Sequence, residues 1–309
     1  MIFLILTQGF VISHSSALSF NKNSPTKNLT NIADICLSSP FSCLQHIDNS
    51  LSTTPKNSRV YFEILQYKME ALFNLQKSEE LYQETKQWLN KPKLPIPFQV
   101  TNAIYFAKSA WYIGEKEAAK KSYLLAKSLL AQMNEAYPSP LRLVQFANLQ
   151  MQLDEHQQAY DLMLGLAKKY SKSPDTRFMM ELHGNLGHAA NKLGFYKESL
   201  KHWQETIPWA FEFGNKQQIA VVLYNLADLH DILSQYDQAE KHFIQAISYA
   251  VKAGDKVKAN QARLHLLQTQ LKQGTVCHKN SIIEDLDSQY LSKTAKADLT
   301  LLKNQLTLC

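Results

Sequence analysis

Glycine is scarce in this sequence, nine residues in 309, and with 45% hydrophobic residues that scarcity disfavours a sheet-rich or turn-dominated fold. Chemical motifs are missing as well: there is no glycine-rich phosphate loop, no His-Glu-x-x-His, no calcium loop and no Cys-x-x-Cys. The chain therefore reads as non-enzymatic, with no cofactor. Beyond the first 20 residues no stretch reaches about 18 unbroken apolar residues, so no later membrane span is expected. A concentrated basic stripe is also lacking. The net charge of +6 is spread out, with Lys120-Lys121 and Lys168-Lys169 only as pairs, which argues against nucleic acid as a partner. Ten histidines raise the question of a metal. His183 and His188 are separated by about 500° of helical rotation, His230 and His242 are no better placed, and His202 and His242 occupy equivalent positions 40 residues apart. No metal site is expected from these spacings.

What is present is a repeat of 40 residues. Ala107, Ala147, Gly187 and Ala227 form one register, and Ile113, Leu153, Leu193 and Leu233 a second. Ala119, Ala159, Ser199 and Ala239 form a third, and the large residues Tyr123, Met163, Trp203 and Phe243 a fourth. Small, aliphatic, small and large positions at fixed offsets describe one helix-pair unit copied several times. Such a unit cannot bury its apolar face alone, so neighbours must stack into an all-α solenoid. Proline-rich stretches divide the units: Lys91 to Pro97, Pro138-Ser139-Pro140, and Ser171 to Asp175. Pro208 falls inside a second helix, where it is expected to kink or shorten it.

The best unit runs Leu223-Tyr224-Asn225-Leu226-Ala227, then Leu233, Tyr236, Ala239, Phe243 and Ala246. Before it come Leu182, Asn185, Leu186, Gly187, Leu193-Gly194, Tyr196, Ser199 and Trp203. These residues resemble the tetratricopeptide repeat family in its longer, 40-residue variety, with Gly214-Asn215 and Gly254-Asp255 closing second helices. The resemblance covers residues 58–274 in about five units and implies a right-handed superhelical solenoid of stacked antiparallel helix pairs. Residues 20–57 then form an N-terminal capping segment and 275–309 C-terminal capping helices, near Ser281 to Ser292 and Lys296 to Leu306.

In that family the first helices line a concave groove that holds a protein or extended peptide. The positions that follow the small crossing residue here are Lys108, Asn148, His188, Asp228 and Gln268. One turn earlier stand Tyr105, Gln145, Asn185 and Asn225, and one turn later Trp111, Met151, Asn191 and Asp231. The resemblance places asparagines at 185 and 225 where a side chain can hold a peptide backbone, with Tyr112 and Tyr224 beside the ladder. The groove is expected to run from basic and aromatic near Lys108, Trp111 and Tyr112 to acidic near Asp228 and Asp231. Glu181, Val221 and Gln145 stand where the subgroup that clamps C-terminal carboxylates has basic residues, so that ligand is not expected.

The first 19 residues differ from the rest. Met1-Ile2-Phe3-Leu4-Ile5-Leu6 opens an apolar stretch to Ile12, followed by small residues suited to cleavage after Ala17 or Ser19. This is a signal peptide by pattern, although no Lys or Arg precedes Lys22. It places the chain in the periplasm or otherwise outside the cytoplasm, with a cytoplasmic location as the alternative. Four cysteines fit export: Cys36 with Cys43, and Cys277 with Cys309, are each plausible disulfides at the two ends of the solenoid. Three pairings remain open on sequence grounds. The Cys36 to Cys43 segment also resembles the start of extracytoplasmic repeat regions in bacterial envelope signalling proteins. That likeness implies a ligand-sensing accessory subunit as the alternative to a scaffold.

Overall fold

The computed structural model describes residues 25–136, 138–274, 282 and 285–307. Residues 1–19, Cys277 and Cys309 lie outside the described residues. Fourteen α-helices and one 3-10 turn are present among the described residues, with no strand. In chain order they are α1 (Pro25–Ser38), α2 (Pro40–Thr53), α3 (Arg59–Asn74), α4 (Ser78–Lys86), α5 (Ile96–Tyr112), α6 (Lys116–Ala136) and α7 (Pro140–Gln152). There follow α8 (His156–Lys169), α9 (Thr176–Lys192), α10 (Tyr196–Phe213), α11 (Lys216–Ile232), α12 (Tyr236–Lys252), α13 (Lys256–Gln273), the 3-10 turn Ser288–Tyr290 and α14 (Lys293–Thr307).

Helix starts follow local chemistry. Ser39, Ser58, Asp175, Asn215 and Asp255 each accept, through the side chain, a backbone N–H three residues on, which satisfies one of the free donors of a first turn. Pro40 and Pro140 open α2 and α7, where a missing N–H is harmless. The connection from first to second helix is the same in each repeat. Gly114, Asp154, Gly194 and Ser234 all take a left-handed conformation, with φ of 91°, 65°, 79° and 58°. In each case the next residue's N–H returns to a carbonyl five residues back, as in Glu115 to Ala110 and Gln235 to His230, both at 2.8 Å. α10 runs through the exposed Pro208 to Phe213, so the helix is not shortened there.

The registers read from the sequence form the core. Ala107, Ala147, Ala227, Ala119, Ala159 and Ala239 are fully buried, and Tyr123, Met163, Trp203 and Phe243 fill the space between helix pairs. Gly187 and Ser199 make the closest crossing: Ser199 Oγ donates to the Gly187 carbonyl at 2.7 Å. A Cβ at Gly187 would lie 2.8 to 3.0 Å from the Trp203 indole, so glycine is what lets α9 and α10 approach.

Helix pairs stack side by side, and the first helices form the inner layer. α1 packs on α3, α3 on α5, α5 on α7, α7 on α9, and α11 on α13. α9 and α11 diverge, joined mainly through α10. The N-terminal pair α1–α2 packs on α3. Its turn also reaches α11, where Asn215 Nδ2 donates to the carbonyls of Leu37 at 2.6 Å and Ser38 at 3.3 Å. The inner layer therefore curves until its first turn meets its sixth pair.

At the other end, α14 and the 3-10 turn pack on α13. Residues 285–292 form a turn and the 3-10 segment, where the sequence reading expected the latter half of a helix. The reason is local: Asp287 accepts from the Gln289 backbone at 3.1 Å, and the Asp287 N–H is held by Asn260 Oδ1 at 2.8 Å, which fixes a cap in place of a continuing helix. Among the described residues no helix is long and apolar enough to cross a membrane.

Candidate functional site

Where α9 and α11 diverge, a concave cavity of about 310 Å³ opens. Its floor is apolar: Trp203 and Phe213 of α10, Met180 of α9 and Val222 of α11. Its walls are polar, with Glu181, Asn185 and His188 on α9 facing Gln217, Gln218 and Asn225 on α11. Glu70 and Asn74 of α3 and the α1–α2 turn at Cys36, Leu37 and Pro40 form the lip. An apolar floor with a few convergent polar groups is the usual character of a ligand site, and this volume sits at the small end of the range.

The lip is held by two devices. A disulfide joins Cys36 to Cys43, with Cα atoms 4.3 Å apart, and ties α1 to α2 beside their turn. Asn215 does two things at once: its Oδ1 caps α11 by accepting from the Gln218 N–H at 3.1 Å, and its Nδ2 grips the turn. A second crossing of the concavity is the ion pair of Arg177 on α9 with Glu70 on α3, residues 107 apart in sequence. Burial opposes the charge on Arg177, but Glu70 and Glu181 hold its pKa above the usual range. Burial pushes the Glu181 carboxyl up, against Arg177. Asn185 Nδ2 donates to the Glu181 carbonyl at 2.7 Å, and Asn148 Nδ2 donates to Asn185 Oδ1 at 2.8 Å, so α7 and α9 share a polar ladder along the wall.

Of the groove residues named from the sequence, Asn148, Asn185, His188 and Asn225 come together on this one cavity. Tyr112, Asn148 and His188 also line an adjoining cleft of about 280 Å³, and Tyr112 is 64% exposed. The concave wall, with Lys192 and His156 nearby, lowers the His188 pKa, although the ring itself reaches solvent.

The remaining residues of that ladder are engaged elsewhere. Lys108 is buried at 3% exposure, its Nζ lying 4.4 Å from the Phe73 ring centroid, and burial lowers its pKa to about 8. It therefore does not present a charge on the open wall. Trp111 is half-buried beneath Lys116, whose Nζ is 3.4 Å from the ring centroid. Tyr224 is buried and its hydroxyl meets His265 of α13 at 3.1 Å; burial raises its pKa. Asp228 pairs with His265 at 3.2 Å, while Asp231 accepts from Thr269 at 2.8 Å and pairs with Lys272. The acidic end of the groove is thus engaged by the next helix. Glu70, Arg177 and Asn215 were not found from the sequence, because the repeat pattern does not encode contacts between distant repeats.

Stacked helix pairs, joined from the second pair to the sixth by a left-handed residue, define an α-helical repeat solenoid. Residues 178–250, which span most of α9 to α12, match the family model of the tetratricopeptide repeat. No curated protein matches the chain in sequence. Among solved structures, the chain resembles a signal transduction ATPase with numerous domains from Pyrococcus horikoshii, a protein with a tetratricopeptide repeat sensor. The TM-score is 0.58 at 13% identity over 85% of this chain, which spans only 40% of that protein. A Rap protein complexed with competence and sporulation factor matches with a TM-score of 0.57 at 14% identity, covering 81% of this chain and 72% of that one. Bacillus thuringiensis PlcR, in complex with the peptide PapR7 and DNA, matches with a TM-score of 0.56 at 15% identity, covering 76% and 98%. At such identities these likenesses carry the fold.

Proposed function

We propose that this chain is an exported, non-enzymatic scaffold that binds an extended peptide or a segment of a protein partner along its concave wall, anchored at the α9–α11 cavity. The observation that carries the reading is the cavity itself: an apolar floor for a side chain, and on its wall the Asn225 amide, which is not engaged as Asn185 is, to hold a peptide backbone. The Rap and PlcR structures, similar in fold, are complexes with competence and sporulation factor and with the peptide PapR7 and DNA, which supports a peptide-binding reading. Export rests on the largely apolar stretch to Ile12 and the small residues that follow it, and is supported by the Cys36–Cys43 disulfide, a bond that persists in oxidising compartments.

The alternative, a ligand-sensing accessory subunit of an envelope signalling system, is favoured by one observation. The α1–α2 turn lies on the cavity lip, so an occupant there would touch the Asn215 clasp and alter the curvature of the whole inner layer. Crosslinking in the native host with identification of the captured partner tests the first reading. Titrating the identified segment against wild type and Asn225→Ala should then show at least a tenfold loss, with stability changed by no more than about 0.5 kcal/mol. Unchanged affinity in Asn225→Ala would remove the cavity from the binding site. A partner whose binding leaves the clasp intact would favour the scaffold over the sensor.

A further inference from the structure

Away from the cavity, on the face of the α9–α10 pair turned toward α8, two histidines and a glutamate converge. The crossing at Gly187 and Trp203 brings α9 and α10 close together, and one helical turn along α9 it sets His183 against His202, ring centroids 5.8 Å apart. Glu205 follows His202 by three residues and so shares its face of α10. Its Oε2 lies 2.9 Å from His183 Nδ1 and 3.5 Å from His202 Nδ1, and one ligating atom from each of the three side chains lies within 4.8 Å of the other two. Tetrahedral zinc with bonds of about 2.0 to 2.1 Å has ligand-to-ligand edges of about 3.3 Å, so two of the three edges already have coordination dimensions.

The electrostatic setting agrees with this geometry. Both imidazole side chains are 12% exposed, and both Nδ1 atoms are buried without a hydrogen bond of acceptable geometry, despite the nearby carboxylate. A buried nitrogen in that condition is costly unless something satisfies it. Lys201 Nζ stands 4.0 Å from the other carboxylate oxygen, Oε1, on a side chain 73% exposed, and leaves Oε2 to the histidines.

Nor does the fold require this set. At the equivalent positions of the next repeat stand Leu223, His242 and Gln245, and His242 there stacks on His230 with centroids 5.3 Å apart. The helix crossing is therefore built equally well without three ligating groups.

We propose that His183, His202 and Glu205 bind one divalent transition-metal ion, with zinc the best match, through the two Nδ1 atoms and Glu205 Oε2. Two nitrogens and one carboxylate oxygen suit zinc and its borderline neighbours over magnesium or calcium, which prefer all-oxygen shells. The partly exposed Glu205 side leaves room for solvent to complete the coordination. The ion would clip α9 to α10 behind the cavity floor, since Gly184 and Trp203, neighbours of these residues in sequence, line the cavity.

The test uses untagged full-length protein, stripped with chelator and titrated with zinc chloride by calorimetry, with cobalt chloride as a spectroscopic probe. One zinc per chain at micromolar affinity or tighter is expected, with a rise in melting temperature, and no binding of magnesium or calcium. His183→Gln, His202→Gln and Glu205→Gln should each weaken zinc by at least roughly tenfold and abolish the visible cobalt bands, whereas His242→Gln should change neither. If a histidine variant fails to fold by circular dichroism, Glu205→Gln, on the partly exposed partner, decides alone. No zinc binding below roughly 100 µM by wild type, or wild-type affinity in the variants that fold, would overturn the assignment.

Discussion

Two stretches of one concave wall carry similar polar side chains and treat them differently. Between α11 and α13, Tyr224, Asp228 and Asp231 each meet a partner from the next inner helix: His265, Thr269 or Lys272. Between α9 and α11 the walls stand apart over a 310 Å³ cavity, and the Asn225 side chain makes no hydrogen bond among the described residues. The difference lies in the stacking, because α11 and α13 pack directly whereas α9 and α11 diverge. A polar residue on the inner register is available to a ligand only where the following helix leaves it free. The acidic stretch is accordingly read as structural and the divergent stretch as the site.

The largest effects that can break this comparison lie in the core beneath each stretch. Phe243, fully buried under the α11–α13 stretch, should lose about 3 to 5 kcal/mol on replacement by Ala. Trp203 occupies the equivalent position but has one edge on the cavity, so Trp203→Ala should fall in the lower part of that range. Chemical denaturation of the two variants gives the ranking; a greater loss for Trp203→Ala would mean that the cavity wall is packed as tightly as its neighbour.

Next in size is the lip. Opening the Cys36–Cys43 disulfide with Cys36→Ser and Cys43→Ser removes a short loop closure of about 2 to 3 kcal/mol. Hydrogen exchange should then rise in α1 and α2 and at the Asn215 cap, while α12 and α13 stay protected. Equal loosening at both ends would contradict a clasp confined to the cavity.

Lys108 sharpens the contrast through pH. Its folded pKa is about 8, against about 10.4 in an unfolded chain, so between these values the unfolded state binds the additional proton. Stability therefore rises with pH across that window, by about 2 kcal/mol from pH 8 to 10, and Lys108→Met should flatten the rise. Burial lowers Lys258, beside Tyr224, in the same direction, and that slope should survive in the Lys108 variant. Thermal melts at pH 8, 9 and 10 give both slopes. A Lys108→Met slope equal to that of the wild type would refute the buried lysine.

Much of this was legible in the chain. The 40-residue registers place the crossing alanines and the Tyr123, Met163, Trp203, Phe243 series directly, because each helix pair repeats the same local packing problem. The turn positions were harder to read, since Asp154 and Ser234 adopt the left-handed conformation that Gly114 and Gly194 advertise. Of the groove ladder, Asn148, Asn185, His188 and Asn225 converge, but nothing in the register tells that Lys108 turns inward or that α13 engages Asp228 and Asp231. Those outcomes depend on how far successive inner helices diverge. The Glu70–Arg177 and Asn215–Leu37 contacts span 107 and 178 residues and depend on the curvature of the whole solenoid. The convergence of His183, His202 and Glu205 was hidden for a simpler reason: its members sit on two helices, and spacing along one helix does not reveal a crossing.

The smallest structural change carries the most direct test. A photo-crosslinking amino acid is placed at position 225, on the cavity wall, and in a second variant at position 231, on the stretch engaged by α13, and each is irradiated in the native host. Both sites are polar and partly exposed, so stability should move by no more than about 0.5 kcal/mol at 225 and about 1 kcal/mol at 231, where the contacts to Thr269 and Lys272 are lost. The account predicts a discrete partner adduct from position 225 and none from position 231. An adduct from 231 with none from 225 would place the ligand on the acidic stretch and contradict it.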